Sequence, residues 1–166
     1  MSPQIQLEDF AITRLHIDWI PPKDGPVKLK ELQSEFDYNV AVQAKDNRRY
    51  KLELQLSFQE AGVEQTDIGF RIAATTVGVF VFEPNTTTED RKRLVRINGV
   101  NILYGTFRGV LVGVTGAFPG GKFLLPTILP NRIVAEIEAK RVEPPTASVS
   151  EDVAANARFT GKRTAV

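Results

Sequence analysis

Cysteine is absent from the 166-residue chain, so disulfides and thiolate metal sites are excluded. Histidine occurs once, at His16, which removes every motif that needs two imidazole ligands. Neither sign of charge is in excess: 21 Lys and Arg stand against 20 Asp and Glu. Such a balance gives nothing global to attract nucleic acid or an anionic membrane. Long apolar runs are also missing. The most apolar stretch, Asn101–Pro119 (NILYGTFRGVLVGVTGAFP), is broken by Arg108. Eleven uncharged residues precede that arginine and thirteen follow it before Lys122, whereas a spanning helix needs about 20 apolar residues. The N-terminal MSPQIQLEDF has neither a basic start nor an apolar run, so no secretory signal is expected in it. A cytoplasmic protein with no membrane insertion is the expectation.

What is present has the pattern of strands followed by helices. Phe10, Ile12, Leu15, Ile17 and Trp19 predict a strand with one irregularity, and PPKDGP predicts a loop. Lys28–Glu35 is polar and reads as loop or edge strand. Phe36, Tyr38, Val40 and Val42 alternate with polar or small residues, and a turn is expected at Lys45–Arg48. Tyr50, Leu52, Leu54, Leu56 and Phe58 then alternate strictly, which predicts a hairpin with one face on a core and the other in water. Phe70–Phe82 is a third long strand, apolar on both faces around Val77–Val81, with Gly78 as a point of bending or close approach.

After Pro84 the period changes. Thr86-Thr87-Thr88-Glu89-Asp90 is a helix start, with a threonine cap and acids at the positive end of the dipole. Leu103, Phe107, Val110 and Val114, widened by Leu111 and Phe118, have helical spacing. Gly105, Gly109 and Gly113 fall four apart along the same stretch. Each lowers helix propensity by up to about 1 kcal/mol relative to Ala, but together they make a flat face against which another backbone can pack. PGGKFLLP reads as a loop, and Pro130–Arg141 as a short helix with Ile133, Val134 and Ile137 on its apolar stripe. The expected fold is α+β: a four-stranded antiparallel meander with one long and one short helix on one face, in a single domain over residues 1–142. Residues 143–166 are small and polar and are expected to be a disordered tail.

No catalytic constellation emerges. Pro119-Gly120-Gly121-Lys122 has wrong glycine spacing and no hydroxyl residue after the lysine for a phosphate loop, so a flexible loop is the better reading. His16 near Asp18 reads as a structural histidine rather than a general base, and Glu89-Asp90 is explained by helix-start electrostatics. Arg91-Lys92-Arg93 with Arg96 reads as a solvated helix face. Enzymatic activity, a metal and a cofactor are therefore not expected. Excess apolar surface is what remains, and it calls for a second copy or an apolar polypeptide partner.

Asn101-Ile102-Leu103-Tyr104, followed by Arg108, Phe118-Pro119 and Leu125-Pro126, resembles the signature segment of SecB-type protein-export chaperones. Phe10–Leu15 (FAITRL) and Ala73–Glu83 (AATTVGVFVFE) resemble two strands of that family, in the same order. Val100 and Gly105 stand where the family has prolines, and Thr106 and Gly109 replace a usual Tyr and Glu, so the resemblance is to a divergent, SecB-like member. It implies an ATP-independent holdase that binds apolar segments of non-native polypeptides, in export or as the dedicated chaperone of a toxin–antitoxin pair. A non-chaperone oligomeric interaction module of the same fold is the other reading. The resemblance further implies assembly as a dimer or dimer of dimers, with Leu103, Gly105, Gly109, Val110, Gly113 and Val114 as interface candidates. Client-groove candidates are Tyr104, Phe107, Phe118, Phe123 and Leu124, with Phe80 and Phe82 behind them. In the family, the main export chaperones are strongly acidic, and their sheet surface and C-terminal tail engage the SecA motor. The near-neutral charge here and the Gly161-Lys162-Arg163 ending weaken that expectation.

Overall fold

The computed structural model describes residues 5–22, 29–62 and 68–142; the tail expected from residue 143 onward lies outside them. Four long strands, β1 (Ile5–Ile20), β2 (Leu29–Gln43), β3 (Asp46–Gly62) and β4 (Gly69–Phe82), form one antiparallel sheet in the order β1-β4-β3-β2. In β3 the alternating residues Tyr50, Leu52, Leu54, Leu56 and Phe58 are all between 0% and 3% exposed. A turn at Ala44-Lys45, slightly earlier than the sequence predicts, joins β2 to β3.

The expected meander holds for β2, β3 and β4 but not for β1, which pairs with β4 rather than β2. That order is a Greek key. The physical reason lies in β4, whose inward row is Phe70, Ile72, Ala74, Thr76, Gly78, Phe80 and Phe82. A strand this apolar is best placed inside the sheet, with a neighbour on each edge. β1 supplies a matching row: Trp19, Ile17, Leu15, Ile12, Phe10, Leu7 and Ile5 stand opposite those residues in turn. Their sequence spacing is irregular, and the ladder accommodates it with two register shifts, at Leu7/Asp9 and Ile12/Arg14. Each shift absorbs one extra residue, Glu8 or Thr13, and so keeps this row in step with that of β4. The sequence predicts one irregularity; the strand has two. The polar strand β2 takes the edge.

The long helix runs from α1 (Thr88–Leu94) through a five-residue π-helical stretch, Val95–Gly99, into α2 (Val100–Thr115). Thr87 caps it as expected: its hydroxyl accepts from the Asp90 amide (3.1 Å) and donates to the Asp90 carboxylate (2.8 Å). Its buried side is Arg91, Val95, Gly99, Val100, Leu103, Tyr104, Phe107, Leu111 and Thr115. The π stretch, a wider turn, rotates this face between Val95 and Val100. Val110 and Val114, expected on the apolar stripe, face solvent, because the stripe continues through Leu111 and Thr115. Arg91 also departs from the solvated reading. It is buried and donates to the Asn47 (3.3 Å) and Pro84 (3.1 Å) carbonyls, tying the helix start to the beginning of β3 and to the segment after β4.

Helix and sheet meet through two glycines. A methyl group on Gly78 would sit 2.6 Å from Leu103 Cδ2, and one on Gly99 would sit 2.9 Å from Leu52 Cδ2. The backbones therefore approach more closely than any larger residue permits. α3 (Pro130–Val142) buries Ile133, Val134 and Ile137 in the same core. Its far end is clasped to β2. Glu138 accepts from the Tyr38 hydroxyl (2.7 Å) and from Arg96 (2.8 Å), while Arg141 lies 4.8 Å from the Tyr38 ring centroid. These hydrogen bonds, from Tyr38 first and then Arg96, hold the Glu138 carboxyl below its ordinary range.

Gly78→Val is expected to lower stability by about 1–3 kcal/mol in urea unfolding, although valine is the better strand former, because the added methyls overpack the helix contact. Burial, chiefly, pushes the Tyr38 and Tyr104 hydroxyls from their ordinary 10.0 up to about 12. The neutral form is thus favoured in the folded state. The stability this contributes is complete below 10.0 and is lost as pH rises to about 12. Tyr104→Phe is expected to flatten the pH slope of unfolding across that window, a change that general destabilisation does not produce.

Candidate functional site: an apolar groove at one end of the sheet

Among the described residues, the helical layer leaves one end of the sheet uncovered, and a loop closes over it. After α2, Gly116 and Phe118 amides bond back to Val112 (3.2 Å) and Thr115 (2.9 Å) carbonyls, and Gly121 donates to Phe118 (2.9 Å) in a turn with Pro119 at its second position. Gly121 has φ 76°, a conformation suited to glycine. Gly120 lies flat on the Trp19 indole; a Cβ there would fall 2.4 Å from the ring. The fully buried Thr115 hydroxyl then accepts from the Phe123 amide (2.9 Å), and the Tyr104 hydroxyl donates to the Pro126 carbonyl (2.7 Å). Between these two anchors the loop is extended and alternates. Phe123 and Leu125 point into the core, and Leu124 points out, 66% exposed.

The resulting cavity of about 490 Å³ has walls from all four strands and the loop: Trp19, Leu32, Glu60, Ile68, Phe70, Phe123 and Leu124 among them. Its floor is an aromatic cluster. Phe70 lies 5.1 Å from Trp19, 5.3 Å from Phe123 and 5.9 Å from Phe118 between ring centroids. Among the described residues, two charges reach the cavity, Glu60 and Lys122. The Glu60 carboxylate is turned inward, where it accepts from the Phe70 amide (2.7 Å) and secures the start of β4. An apolar side chain entering here exchanges water for aromatic surface. Among the described residues, no group of three His, Cys, Asp or Glu could hold a metal ion.

The sequence-derived client candidates separate into two groups. Phe123 and Leu124 line this groove, and Phe118 packs behind it on Phe70. Tyr104, Phe107, Phe80 and Phe82 instead belong to the core of the chain, with Phe82 packed on Tyr50 at 5.3 Å. Trp19, Leu32, Ile68 and Phe70 line the groove but were not singled out by sequence. Trp19, as the chain's single tryptophan at the apolar end of β1, was the available signal.

The interface candidates divide as well. Leu103 is fully buried against Gly78, on the sheet side of the helix. Gly105, Gly109 and Gly113 lie on the opposite side, with nothing within 4 Å of an added Cβ, and Val110 and Val114 are exposed beside them. His16 and Asp18 form a 2.9 Å pair, both exposed, with no third group completing a catalytic arrangement. The basic cluster is dispersed: Arg93 pairs with Asp90 and Arg96 with Glu138. Among the described residues, no helix is long and apolar enough to cross a membrane.

Comparison with solved structures places the architecture. The chain is similar to the Rv1957 SecB-like chaperone of Mycobacterium tuberculosis, solved in complex with a ChAD peptide from the Rv1956 HigA1 antitoxin. The TM-score is 0.58 at 14% identity, over 75% of this chain and 91% of that one. A protein of unknown function from Streptococcus agalactiae aligns at a TM-score of 0.41 and 14% identity, over 76% of this chain and 100% of that one. No family model matches the sequence, and no curated protein matches it. The four-stranded antiparallel sheet with one long and one short helix is thus a SecB-like fold.

Proposed function

We propose that this protein is a cytoplasmic, ATP-independent chaperone that holds apolar segments of non-native polypeptides. The observation that carries the reading is the groove: an aromatic floor and a rim residue held out in water at Leu124. Affinity comes from removing apolar surface from water, at about 25 cal/mol per Å². The SecB-like fold supports the reading. A second, narrower reading, a dedicated chaperone of a toxin–antitoxin pair, is favoured by the antitoxin peptide held by the Mycobacterium tuberculosis chaperone. Self-association belongs to the proposal too. The face formed by Gly105, Gly109, Val110, Gly113 and Val114 is flat enough for a second copy's helix, giving a dimer or a dimer of dimers. Handover to SecA has less support, since the formal net charge is +1 rather than strongly acidic.

The test is light scattering of a denatured client diluted into buffer without nucleotide. Suppression at near-stoichiometric amounts is expected, with a complex that survives size exclusion. Suppression confined to one partner, with general clients left to aggregate, selects the dedicated reading. An oligomer that binds neither leaves only the interaction module. Leu124→Ser is expected to weaken client binding about tenfold, the worth of part of a buried leucine side chain. Its thermal unfolding should be unchanged because the side chain is solvated. Phe123→Ser is the contrasting variant, expected to destabilise the fold, since Phe123 is only 5% exposed. As the chain's single tryptophan lines the groove, client addition should shift Trp19 emission.

A further inference from the structure

The helices cover one face of the sheet. On the other face, the strand ladders align side chains into transverse rows that run in the order β1-β4-β3-β2. The central row is Arg14, Thr75, Gln55 and Asp37, and the next is His16, Ala73, Ser57 and Glu35. Each row therefore begins with a basic residue on β1 and ends with an acid on β2. Between the two flanks the floor is low, because Ala73, Ser57 and Thr75 are small. A hollow of about 270 Å³ is lined by these three together with Arg14, Glu35 and Asp37.

Three observations specify what this face fits. Arg14 and Glu35 are exposed and have no partner among the described residues, while Asp37 engages only through Oδ1. Val77, Val79 and Val81 stand half-buried along β4 on this same face. The area is also sufficient. The 14 residues of β4, in a sheet of four strands, give a face of about 700 Å². A stable interface covers about 800 Å² per partner.

The surface that complements this face is the same face turned over. A two-fold axis parallel to the strands, passing between β4 and β3, lays β1 of a second copy over β2 and β4 over β3. Every row then stays level with itself. Arg14 meets the second copy's Asp37 with Glu35 beside it, His16 meets Glu35, and Ala73 rests on Ser57. Further along, Ala11 falls over Asn39, Val77 over Glu53 and Val79 over Lys51, and no row sets like charges against each other. A two-fold axis across the strands at the central row would instead set Arg14 on Arg14 and Asp37 on Asp37. Sheets of equal twist stack with their strands within about 30°, so contact is greatest at the centre, where these rows lie.

We propose that the outer sheet face is a self-complementary interface between two copies of this chain. Arg14 of each copy sits between Asp37 and Glu35 of the other, over the floor of Ala73, Ser57 and Thr75. This contact is separate from the groove and from the outward glycines of α2, which lie on the helical side, and it does not depend on the polypeptide-binding reading.

The test uses the full chain, whose lack of cysteine makes an introduced thiol unique. Ala11→Cys and Asn39→Cys proteins, each altered at an exposed position, are mixed and treated with a short bismaleimide. Links between the two variants are expected, with few within either variant alone, because this axis places the two copies of position 11 about 15 Å apart across the sheet. A dimer formed only through the helix faces holds positions 11 and 39 on opposite outer surfaces and gives no such link, which overturns the proposal. In sedimentation equilibrium, Arg14→Glu and Glu35→Lys should each weaken association about tenfold, since every contact occurs twice across a two-fold axis. The double variant should recover most of the loss, and thermal unfolding of all three should match the unaltered chain. Links among Ala11→Cys molecules alone, or among Asn39→Cys molecules alone, would assign association to a strand edge and overturn face-to-face packing. A double variant as weak as the single ones overturns it as well. A chain that stays monomeric also removes this interface, while leaving the client test at the groove to stand or fall separately.

Discussion

The close approach of the long helix to the sheet is the contact on which the rest of the structure depends. Gly78 in the middle of β4 receives Leu103, and Gly99 in the π stretch receives Leu52. Each position forgoes a side chain, at a cost in local propensity of up to about 1 kcal/mol in a helix. The return is that Val95, Val100, Leu103, Phe107 and Leu111 all reach the sheet and become fully buried. Interiors are packed to crystal-like density, so this seating also determines the rotation of the helix. Gly105, Gly109 and Gly113 consequently face outward together with Val110 and Val114.

The same seating determines where the sheet stays open. α2 ends at Thr115, and beyond it the chain must return across the sheet to start α3. It does so as an extended segment anchored at Gly120 on Trp19, at Phe123 on Thr115 and at Pro126 on Tyr104. An extended segment alternates its side chains. With Phe123 and Leu125 drawn into the core, Leu124 has no choice but water. The groove is therefore a consequence of a helix that is shorter than the strands beneath it, roofed by a strap whose own periodicity projects an apolar residue at the rim.

Polar chemistry in this protein is confined to positioning. Glu60 holds the Phe70 amide near the start of β4, Arg91 gathers the Asn47 and Pro84 carbonyls, and the Tyr38–Glu138–Arg96 group with Arg141 fastens the end of α3 to an edge strand. These contacts hold elements at their ends, where backbone groups lack partners, while the centre of the domain is apolar. An arrangement of this kind suits binding by surface burial.

The sequence by itself determined the local elements: the strict alternation in β3, the Thr87 cap, the proline start of α3 and the apolar length of β4 were all legible, because near-neighbour geometry dictates them. The SecB-like arrangement was legible through motif order. It could not say which strand pairs with β1, since a register between Phe10 and Gly78 joins residues far apart in the chain and is chosen by the fit of two whole apolar rows. Nor could it tell Phe80, Phe82 and Phe107, sealed inside the core, from Phe123, which also lines the groove, and Phe118 behind it. All five are aromatic residues in apolar stretches, and only the depth of the helix against the sheet separates them. Tertiary packing decided that depth, and with it the groove and the outward glycines, because each is defined by what another segment does or does not cover.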